Sequence, residues 1–149
     1  MSYNLERKTI EKFFSTQWAA ATPVGLDGQE FTPSIDSVRL TIGSGMVLQG
    51  SIGRTANRKD HMGNLTVQVF TDGKKGSAGP RGYVETIINM LMEKTLDNNG
   101  AVITTTADAF LRFSPPTRTG ILHPYVSASF KDAPFHVTNV IAPFIRYST

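Results

Sequence analysis

The chain contains no cysteine, and this one absence removes disulfides, thiolate metal sites and cysteine nucleophiles together. Histidine is scarce. His61, His123 and His136 stand in three separate segments, with no HxxxH or HExxH pair to set two imidazoles on one helical face around a metal. No run approaches the ~20 apolar residues of a membrane-crossing helix. The opening residues, MSYNLERK, are charged where a secretion signal would be apolar. These absences lead to the expectation of a protein that stays inside the cell that makes it, without membrane contact. Asn64-Leu65-Thr66 matches a glycosylation sequon, and without a secretory route it reads as strand sequence. Charge of one sign is also lacking: 15 Lys plus Arg against 12 Asp plus Glu leave +3, which permits a polyanionic partner without requiring one.

What is present suits one ordinary core. Residues 1–149 fall in the size range of a single domain, and 40% hydrophobic residues argue against a wholly disordered chain. Leu5, Ile10, Phe13, Phe14 and Trp18 mark a first helix, the later ones three or four apart on one face, with Asn4 as its expected N-cap. Two prolines, Gly25 and Gly28 make residues 19–33 a long connection with a short extended piece at 24–26. Val38, Leu40 and Ile42 alternate with Arg39 and Thr41, predicting a half-buried strand that Gly43-Ser44-Gly45 should break. Residues 46–52 then read as a second strand, and 53–63, without apolar period, as an exposed loop. Leu65, Val67 and Val69 give the clearest strand.

A Gly- and Lys-rich loop over 73–82 should lead into a second helix over 83–96, whose apolar face carries Tyr83, Val84, Ile87, Ile88 and Leu91. Asp97-Asn98-Asn99-Gly100 should end it. Strands are expected over 101–106, 109–113, 125–130 and 135–147. Pro134 and Pro143 should confine the last to an edge or break it. The order predicts an α+β fold: two main helices packed on a mostly antiparallel or mixed sheet.

No catalytic constellation emerges. The stretch from Gly73 to Gly82 lacks the P-loop spacing, since its lysines precede its glycines and Pro80 removes an amide donor. Ser44, Ser51 and Ser77 lie outside any GxSxG elbow. Asp108 and Asp132 sit in local sequences that look like turns, and Met90 and Met92 suit packing. Arg54, Arg58, Lys59, Lys74, Lys75 and Arg81 fall in two predicted loops flanking one strand. They would form a basic patch if those loops pointed the same way, although no aromatics are interleaved among them.

In order and spacing, the chain resembles the tail terminator family of long-tailed bacteriophages. The resemblance covers most of the sequence. It rests on the N-terminal helix, Pro23-Val24-Gly25-Leu26-Asp27-Gly28, the run from Arg58 through His61 and Gly63 to Phe70, the Gly-rich loop with its helix, and Ala142-Pro143-Phe144-Ile145-Arg146-Tyr147. Pro115-Pro116 and residues 131–134 lengthen the last third relative to that pattern. The resemblance implies a non-enzymatic structural protein without cofactor or metal. It implies a hexameric ring that caps the head-proximal end of the tail tube, stops its polymerisation and offers a surface to a head-completion protein. Genome DNA would pass through without sequence-specific contact. The protein would sit at the head–tail junction of the virion after assembly in the host cytoplasm. Arg54, Arg58, Lys74 and Lys75 are then the candidates for subunit or tail-tube contact. The alternatives are a head-completion or tail-tube subunit, or a small nucleic-acid-binding protein using the basic loops.

Overall fold

A computed structural model describes residues 3–18, 22–49, 58–76, 78–104 and 109–148. Helix α1, Tyr3–Trp18, buries Ile10, Phe13, Phe14 and Trp18 along the face that the spacing predicts. Asn4 lies inside this helix rather than capping it, and its Oδ1 accepts a hydrogen bond from Arg7 Nη2 at 2.8 Å. Trp18 stacks on Phe14 and donates through Nε1 to Thr22 Oγ1 at 2.9 Å, which fixes the exit of the helix.

After β1, Val24–Gly25, the chain enters β2, Ser37–Gln49, and returns as β3, Lys59–Asp72. The expected break at Gly43-Ser44-Gly45 is a correction: β2 runs straight through it, and only the register shifts, between Ser44 and Val47. The glycines serve close approach here. A Cβ on Gly63 would lie 2.7 Å from both the Gly43 carbonyl oxygen and Phe144 Cζ. The expected loop over 53–63 is corrected likewise, since residues 59–63 belong to β3. Its inward positions there are His61 and Gly63, both buried, so no apolar alternation betrays the strand. Residues 50–57, including that loop's start, lie outside the described residues.

Helix α2, Ala78–Leu91, begins and ends earlier than the predicted 83–96. Ala78, Gly79 and Pro80 occupy its first turn, where a missing amide costs little. Glu93, at φ 59, leaves the helical path while its amide donates to Ser114 Oγ at 2.9 Å. Thr95–Leu96 is therefore strand β4. Asp97 instead shapes the turn that follows, its Oδ1 accepting from the amides of Asn99 and Ala101. Of the strand expected over 101–106, Val102 makes one bridge to Leu96, and residues 105–108 lie outside the described residues.

Next come β5, Leu111–Phe113, the small hairpin of β6, Pro116–Thr117, and β7, Gly120–Ile121, then β8, Tyr125–Asp132, and β9, Phe135–Ser148. The sheet order is β1-β2-β3-β9-β5-β4, and β8 joins β9 beside β5. Among the described residues only β1 runs parallel to its neighbour, so the fold is two helices on a mixed, mostly antiparallel sheet curved into a half-barrel.

The last strand is the largest correction, because β9 is central and unbroken. It pairs with β3 from Phe135 to Ser148 without a register shift. The Tyr147 amide donates to the Phe110 carbonyl, so by alternation the amide position of Pro143 also faces away from β3. On that side β8 reaches only to Ile141 and β5 begins at Phe144. Pro143 thus puts its missing donor where no strand asks for one.

Val38, Leu40, Leu65, Val67, Val69, Val140, Ala142 and Phe144 form the inner face against Phe13, Phe14, Ile87 and Leu91 of the helices. Substituting Gly63→Ala should cost about 1–3 kcal/mol, because the new methyl meets the buried Phe144 ring on one side and, on the other, a Gly43 carbonyl held by the β2–β3 ladder. Urea denaturation would read that loss, and an unchanged midpoint would contradict the close packing.

Candidate functional site

Two parts of the sheet are finished on neither face. Along β2, residues 43–49 are all exposed, including Met46 at 66%. Every residue of β8 is exposed as well. On β8 the pairing sets Val126 and Ser129 opposite Val140 and Thr138 on the helix side of the sheet, with Tyr125 and Phe130 on the other side. An edge strand normally buries one face and guards its open edge with charge. Residues 41–49, TIGSGMVLQ, carry no charge at all.

The two parts lie at diagonally opposite corners. Residues 43–49 pair with the first half of β3, which pairs with the end of β9. β8 pairs with the beginning of β9. The other two corners are filled, one by β1 on Val38 and Arg39, the other by β5 and β4. Beyond β1 the edge of β2 is sealed once more, by Asp27 Oδ1 accepting from the Ile42 amide at 3.1 Å.

Between α2 and the β8–β9 hairpin runs a groove of about 590 Å³. Pro80, Val84, Ile88 and Val126 form its apolar wall, with Arg81, Glu85, Ser129 and His136 at the polar positions. Ser129 Oγ lies 2.7 Å from His136 Nε2. Among the described residues no carboxylate bonds the other ring nitrogen, so the pair lacks the orienting acid of a hydrolytic triad. It serves as a cross-strand hydrogen bond.

A buried polar cluster lies under the first turn of α1. Arg146 is fully buried, and its Nε donates to Glu6 Oε1 at 2.9 Å. Its guanidinium sits 5.1 Å from the centre of the Tyr3 ring, and Nη1 and Nη2 have no hydrogen-bond partner among the described residues. His61, directly across from Arg146 in the ladder, is buried and bonded through Nε2 to Ser148 Oγ at 2.7 Å. Burial pushes the Glu6 carboxyl above its ordinary range despite the bond from Arg146, and burial with the nearby Arg146 charge holds the His61 imidazole below its ordinary value. No local pattern announces this cluster, because Glu6 and Arg146 are 140 positions apart.

The predicted contact residues do not converge. Arg54 lies outside the described residues. Arg58 packs over Tyr147 and bridges to Asp60 at 3.1 Å. Lys74 and Lys75 follow the other end of β3, roughly 45 Å away at ~3.3 Å per strand residue. Arg58 and Lys59 therefore form no continuous patch with Lys74 and Lys75. The histidines also remain apart: His123 contacts Ser114 and His136 contacts Ser129. Asp132 closes the β8–β9 hairpin opposite Phe135, while Asp108, Ser51 and Ser77 lie outside the described residues. Among the described residues no group of three or more potential ligands is placed to hold a metal, and no helix is long and apolar enough to cross a membrane.

No protein-family model matches the chain, and no curated protein matches it. One solved structure, whose name carries no function, superposes with a TM-score of 0.66 at 17% identity, over 98% of this chain and 96% of that one. At that identity the likeness shows the fold alone.

Glu6→Gln should destabilise the protein by about 3–5 kcal/mol, since it strands a buried cation. Pairing it with Arg146→Met should restore most of the loss in urea denaturation. An additive double variant would mean that the two groups are uncoupled. For His61, a lowered native pKa means that the unfolded chain takes up the proton first. The stability His61 contributes is present above its ordinary value of 6.5 and is lost as pH falls below it. Wild type minus His61→Gln, compared by thermal denaturation at each pH, should therefore decline from pH 7 towards pH 5. A flat difference would remove His61 as a source of acid sensitivity.

Proposed function

We propose that this chain is a structural assembly protein rather than an enzyme: a ring-forming subunit that caps the head-proximal end of a phage tail tube, halts its polymerisation and offers its other face to a head-completion protein. One observation carries the reading. Two unlike, exposed, partly apolar strands occupy opposite corners of one sheet, and a chain with two different, mutually complementary surfaces assembles head to tail into rings or filaments. The resemblance to tail terminators supplies the closed form, a hexamer at the head–tail junction of the virion. A ring with two different faces stops a tube by matching its growing end on one side only. Genome DNA would pass through its opening.

A nucleic-acid-binding reading draws no support from the basic side chains, because Arg58 and Lys59 lie at the far end of β3 from Lys74 and Lys75. Those residues suit contacts at two separate levels of an assembly. Negative-stain imaging and native mass measurement of the purified chain should give short closed rings, and adding the chain to polymerising tail tubes should limit their length. Charge reversal at Arg54, Arg58, Lys74 and Lys75 should weaken capping. Extended filaments would instead indicate a tube subunit, and a strict monomer without effect on tubes would refute the assembly role.

A further inference from the structure

We infer that neighbouring copies join by strand pairing between the two open corners: residues 43–49 of β2 in one copy lie along the free edge of β8 in the next. The inference rests on the ring-building reading and names its contact. Alternation from the Tyr147 amide turns the backbone groups of Ile141, Asn139 and Val137 towards β8, so Val126, Ser129 and Lys131 on β8 direct theirs to the open edge. On β2 the Val38 amide donates outward to Pro23 and the Ile42 amide outward to Asp27, which leaves Ser44 as the next outward position, without a strand partner on that side among the described residues. The sealing of β2 by β1 and Asp27 stops where the exposed segment begins.

A second copy of this chain is the occupant that the geometry favours. Both halves of the contact are present in one molecule, yet β3 and β9 lie between them and the two segments occupy opposite ends of those strands, so no chain can join its own. The surfaces are also of adequate size. Eight exposed residues on β8 and seven over 43–49 offer on the order of 1,000 Å² between them, the lower bound of a specific interface. Strand addition supplies the register, and the uncharged, apolar Met46, Val47 and Leu48 come beside Val126 and the apolar wall of the groove under α2. Each join leaves one corner of each kind open, so the series ends only by closing on itself.

The absence of cysteine makes the test clean. Ser44→Cys and Ser129→Cys are introduced together and separately into the full chain, and oxidation or a short bis-maleimide is applied after the thermal midpoint has been compared with wild type. The double variant should give a ladder of linked multimers on a denaturing gel, while each single variant stays monomeric. Failure of the double variant to form a ladder, or dimers from either single variant as abundant as the ladder, would overturn the inference. Rings without the ladder would remove this contact and leave the ring-building reading intact. A ladder on filaments that never close would keep the contact and remove the terminator reading.

Discussion

The antiparallel ladder between β3 and β9 is the constraint on which the rest of the molecule hangs. Fourteen consecutive residue pairs, from Lys59 with Ser148 to Asp72 with Phe135, hold one register without a bulge. Because strand side chains alternate, that register alone sends Leu65, Val67, Val69, Val140, Ala142 and Phe144 to the helices and Met62, Asn64, Thr66 and Gln68 to the opposite face. A slip of one residue would invert both sets. The ladder is also longer than anything that flanks it. On one side β1 and Asp27 seal β2 only at its beginning, and on the other β8 and β5 share the length of β9 between them. The unfinished corners follow from this mismatch of lengths.

How much of this could be read from the chain differs by element, for physical reasons. The helices and the strand around Leu65 were legible because their buried positions carry large apolar side chains at helical or alternating spacing. The start of β3 was not, because its buried positions are His61 and Gly63, one admitted by a bond to Ser148 and the other by the need for close approach to Gly43 and Phe144. The glycines of β2 misled in the same way, since a bulge and a chain break draw on the same residues. Pro143 argued for an edge or a break. It is accommodated because β8 and β5 meet on either side of its missing donor, an arrangement set by strands with no local signature. The basic residues were legible as charges but not as positions, since a flanking strand reads the same whether its two ends diverge or converge.

The folded protein balances a compact apolar core against polar groups that it buries at one end. Glu6 and Arg146 attract one another, but both lose hydration, and the upward push on the Glu6 carboxyl shows that burial outweighs the pairing for that group. Such a pair adds little net stability compared with apolar residues of the same shape. It does tie the first turns of α1 to β9, because Glu6 accepts from Arg146 Nε at 2.9 Å.

That placement matters for the exposed arm of β2. Reading across the sheet, Val47 pairs with His61, His61 with Arg146 and Arg146 with Leu111, so one row of side chains runs from the open corner through the buried cluster to the short strand β5. Tyr3 meets both middle members of this row, edge-on to His61 and against the guanidinium of Arg146. The first turn of α1 therefore clamps the sheet one strand away from the exposed segment of β2. An unsupported two-stranded arm would be marginal in water, whereas this one is braced at His61 by β9 and by the helix above it. The same polar row that costs desolvation gives residues 43–49 a rigid base from which to present an uncharged edge.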